Sequence, residues 1–155
     1  MKKHTLILGI VFLLLLGFAA FFWFGGTLSA RLHIKTVSAA DQPGELETVR
    51  RVLADGSAPR RFSDLPEDLS GCTLAEVTLE LENRGFLPAE WLNVQPEYVD
   101  GDIAVYALTG EGATLPARTV SQVSLRLITA ARPDAPRAFR IQYYVYGMKR
   151  TIVVE

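Results

Sequence analysis

Histidine and cysteine are almost missing from this chain of 155 residues, which has two of the first and one of the second. Histidine is the commonest general base and metal ligand. Here His4 and His33 lie on opposite sides of a long apolar run, so they cannot meet in one site. Ser-His-Asp and Cys-His catalytic constellations, and zinc sites built from Cys and His, are therefore not expected. With Cys72 alone, no internal disulfide can form. An excess of positive charge is also lacking. After the apolar run there remain 14 basic residues (16 less Lys2 and Lys3) against 17 acidic ones, a net charge of −3. That balance disfavours nucleic acid and strong attraction to anionic lipid. No glycine-rich loop precedes a helix; Gly110-x-Gly112 reads as a hairpin turn. No enzyme activity, cofactor, metal or small-molecule ligand is expected.

One apolar run dominates what is present. From Leu6 to Phe24 there is neither a charge nor an amide. Nineteen helical residues would extend about 28 Å, close to the hydrocarbon thickness of a bilayer. A lone apolar span must satisfy its own backbone, so helix is expected. The membrane-spanning residues are Leu6, Ile7, Leu8, Phe12, Leu13, Leu14, Leu15, Leu16, Phe18, Phe21, Phe22, Trp23 and Phe24. A cleaved secretory signal competes with an anchor, but the run is long for a signal. Cutting after Ala30 or Gly26 would place Leu28 or Phe24 at the −3 position, where a small residue is needed. The uncleaved anchor is preferred. Lys2 and Lys3 face Arg31 and Lys35 across it, an even count, and the free α-amino group tips the orientation to N-terminus inside, body outside. Gly9 and Gly17 are eight apart and make no Gly-x-x-x-Gly pair, so the helix reads as a tether.

Residues 1–5 form a basic tail, 6–24 the span, and 25–40 a juxtamembrane stalk or first strand. Within 41–70, Pro43 suits a first helical turn, Glu45 and Glu47 favour its positive end, and Leu46, Val49, Val52 and Leu53 share a face. A short helix is expected there, with a strand over 47–54 as the alternative, and 57–70 reads as loop. From 71 to 155 the period becomes two. Val77, Leu79 and Leu81 alternate with Thr78, Glu80 and Glu82. Trp91, Leu92 and Val94 form a short segment. Asp100-Gly101 is expected to close a hairpin between 95–99 and 102–108. Val123, Leu125 and Leu127 alternate next, then Phe139, Ile141, Tyr143 and Val145, with 147–150 turning into 151–154. About six or seven strands at this spacing predict an all-β antiparallel sandwich.

The segment Val77-Thr78-Leu79-Glu80-Leu81-Glu82-Asn83-Arg84-Gly85, an alternating strand running into Asn-x-Gly, resembles the signature of bacterial immunoglobulin-like modules, including the cell-adhesion-related CARDB type. The resemblance implies an immunoglobulin-like fold and an extracytoplasmic adhesion, spacer or scaffold role without catalysis. It implies no binding residues.

Among possible sites, Leu69-Ser70-Gly71-Cys72 has lipobox letters but lies far beyond the apolar run, so Cys72 is expected to be a buried thiol. Glu76, Glu80 and Glu82 read as a solvated sheet face, with a carboxylate hydrolase as the alternative. Asp100 and Asp102 lack a calcium loop. Arg50-Arg51 and Arg60-Arg61 read as solvated charge. The preferred interface is Arg140, Gln142, Tyr144 and Tyr146, on the outer face of their strand. The expected function is a membrane-tethered module that binds or holds another envelope protein at the cell membrane, with a passive spacer as a further alternative.

Overall fold

The computed structural model describes residues 2–24, 27–64, 66–69, 71–132 and 135–155. Helix α1 runs Lys2–Phe24. The side chains of Leu6, Phe22, Trp23 and Phe24, and the residues Gly25-Gly26, Ser70 and Pro133-Asp134, lie outside the described residues. The described side chains of α1 are continuous only from Ile7 to Phe21 and are largely exposed. Among the described residues no helix is both long and apolar enough to cross a membrane.

The rest of the chain is mostly strand: β1 Leu28–Ser38, β2 Arg60–Arg61, β3 Thr73–Asn83, β4 Glu90–Pro96, β5 Asp102–Thr109, β6 Val120–Thr129, β7 Phe139–Val145 and β8 Met148–Val154. A short 3-10 turn and helix α2, Pro43–Ala54, lie between β1 and β2. The strands form two antiparallel sheets, ordered β1-β3-β6-β5-β2 and β4-β7-β8. The two sheets close over one core, in the manner of a sandwich.

Strand β3 is the centre of that core. Val77, Leu79 and Leu81 are each 0 % exposed, and each such side chain contributes about 2 kcal/mol on burial. They meet Phe139, Ile141, Tyr143 and Val145 from β7 and Leu92 and Val94 from β4. The expected inner faces of β3, β6 and β7 are all found. A second cluster occupies the other side of the larger sheet, where Val49 and Leu53 of α2 press on Leu74, Ile103, Tyr106 and Ile128. That is why residues 102–106 are all buried: one face meets the opposite sheet and the other meets the helix. The helix expected within 41–55 is present, and its first turn carries Pro43 and Glu45 as the dipole favours.

Of the stalk or first strand expected over 25–40, the strand is present as β1, paired with β3 from Leu28↔Asn83 to Ser38↔Thr73. Elsewhere the structure departs from expectation. The loop over 57–70 contributes β2 to the sheet edge. Asp100-Gly101 does not close a hairpin, because β4 pairs with β7 while β5 pairs with β6 and β2. A two-residue type I′ hairpin needs positive φ at both central positions, and only Gly101 has it (φ 95°). The Asp102 N–H donates to the Val99 carbonyl at 2.9 Å, so the four residues form a corner that carries the chain from one sheet to the other. A Cβ on Gly101 would stand 2.7 Å from the Ala131 nitrogen. The tight hairpin is instead Tyr146-Gly147, with φ of 51° and 72°, so β8 begins at Met148 rather than after Arg150.

Candidate functional site

Strand direction defines two ends of the body. At the α1 end lie Leu28, Asn83 and Val120, which are brought together by pairing. The Arg84 N–H donates to the Thr27 carbonyl at 2.9 Å. The backbone of Leu28 also reaches Tyr143, which puts the Tyr146-Gly147 turn at this end. At the far end lie Ser38, Thr73, Thr129 and Asp102.

The α1 end carries most of the exposed aromatics of the sandwich, Tyr98 being at the far end. Trp91 is 69 % exposed and Tyr146 68 %. Glu90, Trp91, Tyr144 and Gly147 line an open hollow of about 450 Å³. Trp91 owes its direction to a break in register between Glu90 and Asn93, and its φ is 54°. Bulky residues avoid that conformation, and bulges commonly re-aim a side chain in this way. Sequence alternation treats Trp91 as an ordinary strand residue and misses it.

The expected strip is thereby divided. Tyr144 is outward-facing at 36 % exposure and borders the hollow. Tyr146 belongs to the turn rather than to β7. Arg140 is near the far end, bound to Glu97 at 2.9 Å, and Gln142 lies between them opposite Asn93. Arg140, Gln142 and Tyr144 form a stripe along β7, and of the four only Tyr144 shares the hollow with Trp91.

A second depression, about 180 Å³, lies between β1 and α2 and is lined by Lys35, Val37, Gln42, Glu45, Glu76 and Arg126, among others. Arg126 contacts Glu45 at 3.0 Å and Glu76 at 3.3 Å, and the Tyr106 hydroxyl donates to Glu45 at 3.3 Å. The two bonds to Glu45 tie α2 to the sheet. The β3 carboxylates are similarly engaged: Glu80 contacts Arg31 at 3.4 Å, and Glu82 contacts Arg84 at 2.7 Å. The Arg84 hydrogen bond is the main cause holding Glu82 below the usual carboxylate range.

Asp102 has a structural task. Its carboxylate, 1 % exposed, accepts two bonds from Arg137 at 2.7 and 3.0 Å and one from the Val99 N–H. Among the described residues there is no cluster of His, Cys, Asp and Glu fit to hold a metal. Cys72 is buried.

Burial pushes the Cys72 thiol up, with Asp68 adding to it. Burial, then Glu45, raises the Tyr106 hydroxyl, and burial raises Tyr143. Once unfolded, these groups lose their protons near their ordinary values, about 8.5 for thiol and about 10 for phenol. The folded state keeps them, so it binds more protons above that range and stability falls as pH rises. The stability from these groups is full below about pH 8. Urea titrations from pH 8 to 11 should show a declining midpoint, with a shallower decline in Tyr106→Phe.

No protein-family model matches the chain, and no curated protein matches it.

Proposed function

We propose that this chain is a single-pass membrane protein whose α1 crosses the bilayer, whose N-terminal tail is cytoplasmic, and whose sandwich holds another envelope component outside without catalysis. Connectivity carries this reading. The 23-residue α1 has no charge beyond its first residues, and only residues 25–27 separate it from β1. The described side chains Ile7–Phe21 are shorter than a span; the sequence run Leu6–Phe24 supplies the length of a bilayer core and too much apolar surface for water.

The strand order supports the immunoglobulin-like resemblance. Without β2, the sheets β1-β3-β6-β5 and β4-β7-β8 follow the ABED and CFG arrangement of the constant-type fold. Helix α2 and β2 are then an insertion between its first two strands. Strand β1 gives the holding role a surface. It lies at the edge of its sheet for eleven residues, and an extended segment of a partner can add to such an edge through main-chain hydrogen bonds. The carboxylate-hydrolase alternative gains no support, since Glu80 and Glu82 both face arginines.

Photo-crosslinkers placed at His33 and Lys35 on β1, in the full chain in intact membranes, test the role. A discrete adduct from these positions and none from Arg50 on α2 is the expected result. No adduct specific to β1 would leave only a spacer.

A further inference from the structure

We propose that the α1 end of the sandwich is a foot that docks on the bilayer, with Phe86, Trp91, Val120, Tyr144, Tyr146 and Met148 lying in the lipid interface around the helix. The inference rests on α1 being a membrane span and adds where the body stands: flush on the surface.

The first support is reach. Phe24 ends α1 and Leu28 begins β1, and four Cα steps extend at most about 14 Å. The headgroup layer is itself about 5–8 Å thick on each side. The body therefore starts within or just above the headgroups.

Contact between helix and body is the second. The ring of Phe86, 56 % exposed, stacks on Phe21 of α1 with centroids 6.5 Å apart and planes 9° from parallel. Phe21 lies three residues before the helix end, about 4.5 Å along the axis, so Phe86 is level with the last turn of the span. Arg118 lies over the same ring, 5.0 Å from its centroid. An arginine laid across an aromatic at this depth can keep its charge among phosphates while its stem stays in the apolar layer.

The third is the asymmetry of the two ends. Phe86, Trp91, Val120, Tyr146 and Met148 are exposed at the α1 end, and Tyr144 borders them. Toward the far end the exposed apolar residues are fewer and hold one aromatic: Tyr98, 59 % exposed with its ring 5.8 Å from Phe62, and the smaller Val37 and Val153. Trp and Tyr, with an apolar body and a polar tip, favour the membrane–water boundary. The charge there is mixed: Arg84 is held by Glu82, and Glu90 sits beside Trp91 in the hollow. Docking is therefore driven by aromatic area and is insensitive to salt.

The chain has two tryptophans, so the full-length Trp23→Phe variant carries Trp91 as its sole tryptophan, excited at the red edge where tyrosine does not absorb. It is reconstituted in phosphatidylcholine vesicles containing lipids brominated high on the acyl chain. A reference with Trp23→Phe, Trp91→Phe and Asp100→Trp reports the far end. Bromolipid should quench Trp91 and spare the reference. Iodide should reach the reference at least about threefold better than Trp91, because interfacial side chains are buried several ångströms into the headgroup boundary. Neither result should change in about 0.5 M salt, which screens charge and leaves aromatic burial intact. A Phe86→Trp probe in a chain lacking the other two tryptophans should behave like Trp91, and it provides the reading if Trp91 reports a misfolded variant. Vesicles that carry the chain while Trp91 is open to iodide and untouched by bromolipid would remove the foot and leave the anchor. Shielding from both quenchers would mean that protein covers this end, and would also overturn the proposal. A chain that fails to float with the vesicles would overturn anchor and foot together.

Discussion

Replacing Arg137 with alanine is expected to cost the fold about 3–5 kcal/mol, the usual consequence of leaving one buried charge without its partner. Total stability of a domain this size is only about 5–15 kcal/mol, so the variant should be close to unfolding. Arg137 precedes β7 in the smaller sheet, and its guanidinium grips Asp102 at the start of β5 in the larger one, with side-chain exposures of 6 % and 1 %. The pair therefore clamps the two sheets together at the far end. The double variant Arg137→Met with Asp102→Asn should recover much of the loss, since the amide oxygen can still accept from Val99 and no charge is stranded. Urea midpoints of the full chain in detergent measure both. A loss under about 1 kcal/mol in Arg137→Ala would show the clamp to be no stronger than a surface pair.

Asn83 performs the corresponding task at the α1 end. It is 1 % exposed. Its amide nitrogen lies 2.8, 3.1 and 3.2 Å from the carbonyls of Leu87, Leu115 and Pro116, and its oxygen accepts from the Gly85 N–H at 3.0 Å. One side chain thus fastens two loops to the end of β3. Asn83→Ala should cost roughly 2–4 kcal/mol, because each buried group left without a partner costs about 1–3 kcal/mol. Asn83→Asp should cost more, since it turns a carboxylate toward three carbonyl oxygens. Hydrogen exchange at the Ala89 and Leu115 amides, which bond each other's carbonyls at 2.9 and 2.8 Å, should quicken in both variants. Unchanged exchange would mean the loops hold without Asn83.

Alternation made the strands legible, because one face of each sheet is dry. Val77, Leu79 and Leu81, and likewise Phe139, Ile141, Tyr143 and Val145, reach the core as their period of two requires. The α2 helix was legible from Pro43, Glu45 and its apolar face. Pairing was less so. Asp100-Gly101 has hairpin letters, but turn chemistry constrains four residues and says nothing about which strand lies beside the next one. The Asp102 clamp was invisible because its partner is 35 residues away. Trp91 was missed because a bulge reverses the parity on which alternation depends. Alternation places Tyr144 outward, as found, whereas Tyr146 is exposed from the turn rather than from the strand; Trp91, which shares the hollow with Tyr144, comes from another strand.

Everything proposed for the sandwich requires it to lie outside the bilayer that α1 crosses. Protease treatment of sealed membrane vesicles of known orientation, followed through an epitope after Glu155, tests it directly. In right-side-out vesicles the epitope should be lost while α1 remains in the membrane fraction, and in inside-out vesicles it should be protected. Protection in right-side-out vesicles, or release of the intact chain from the membrane by an alkaline wash, would contradict it.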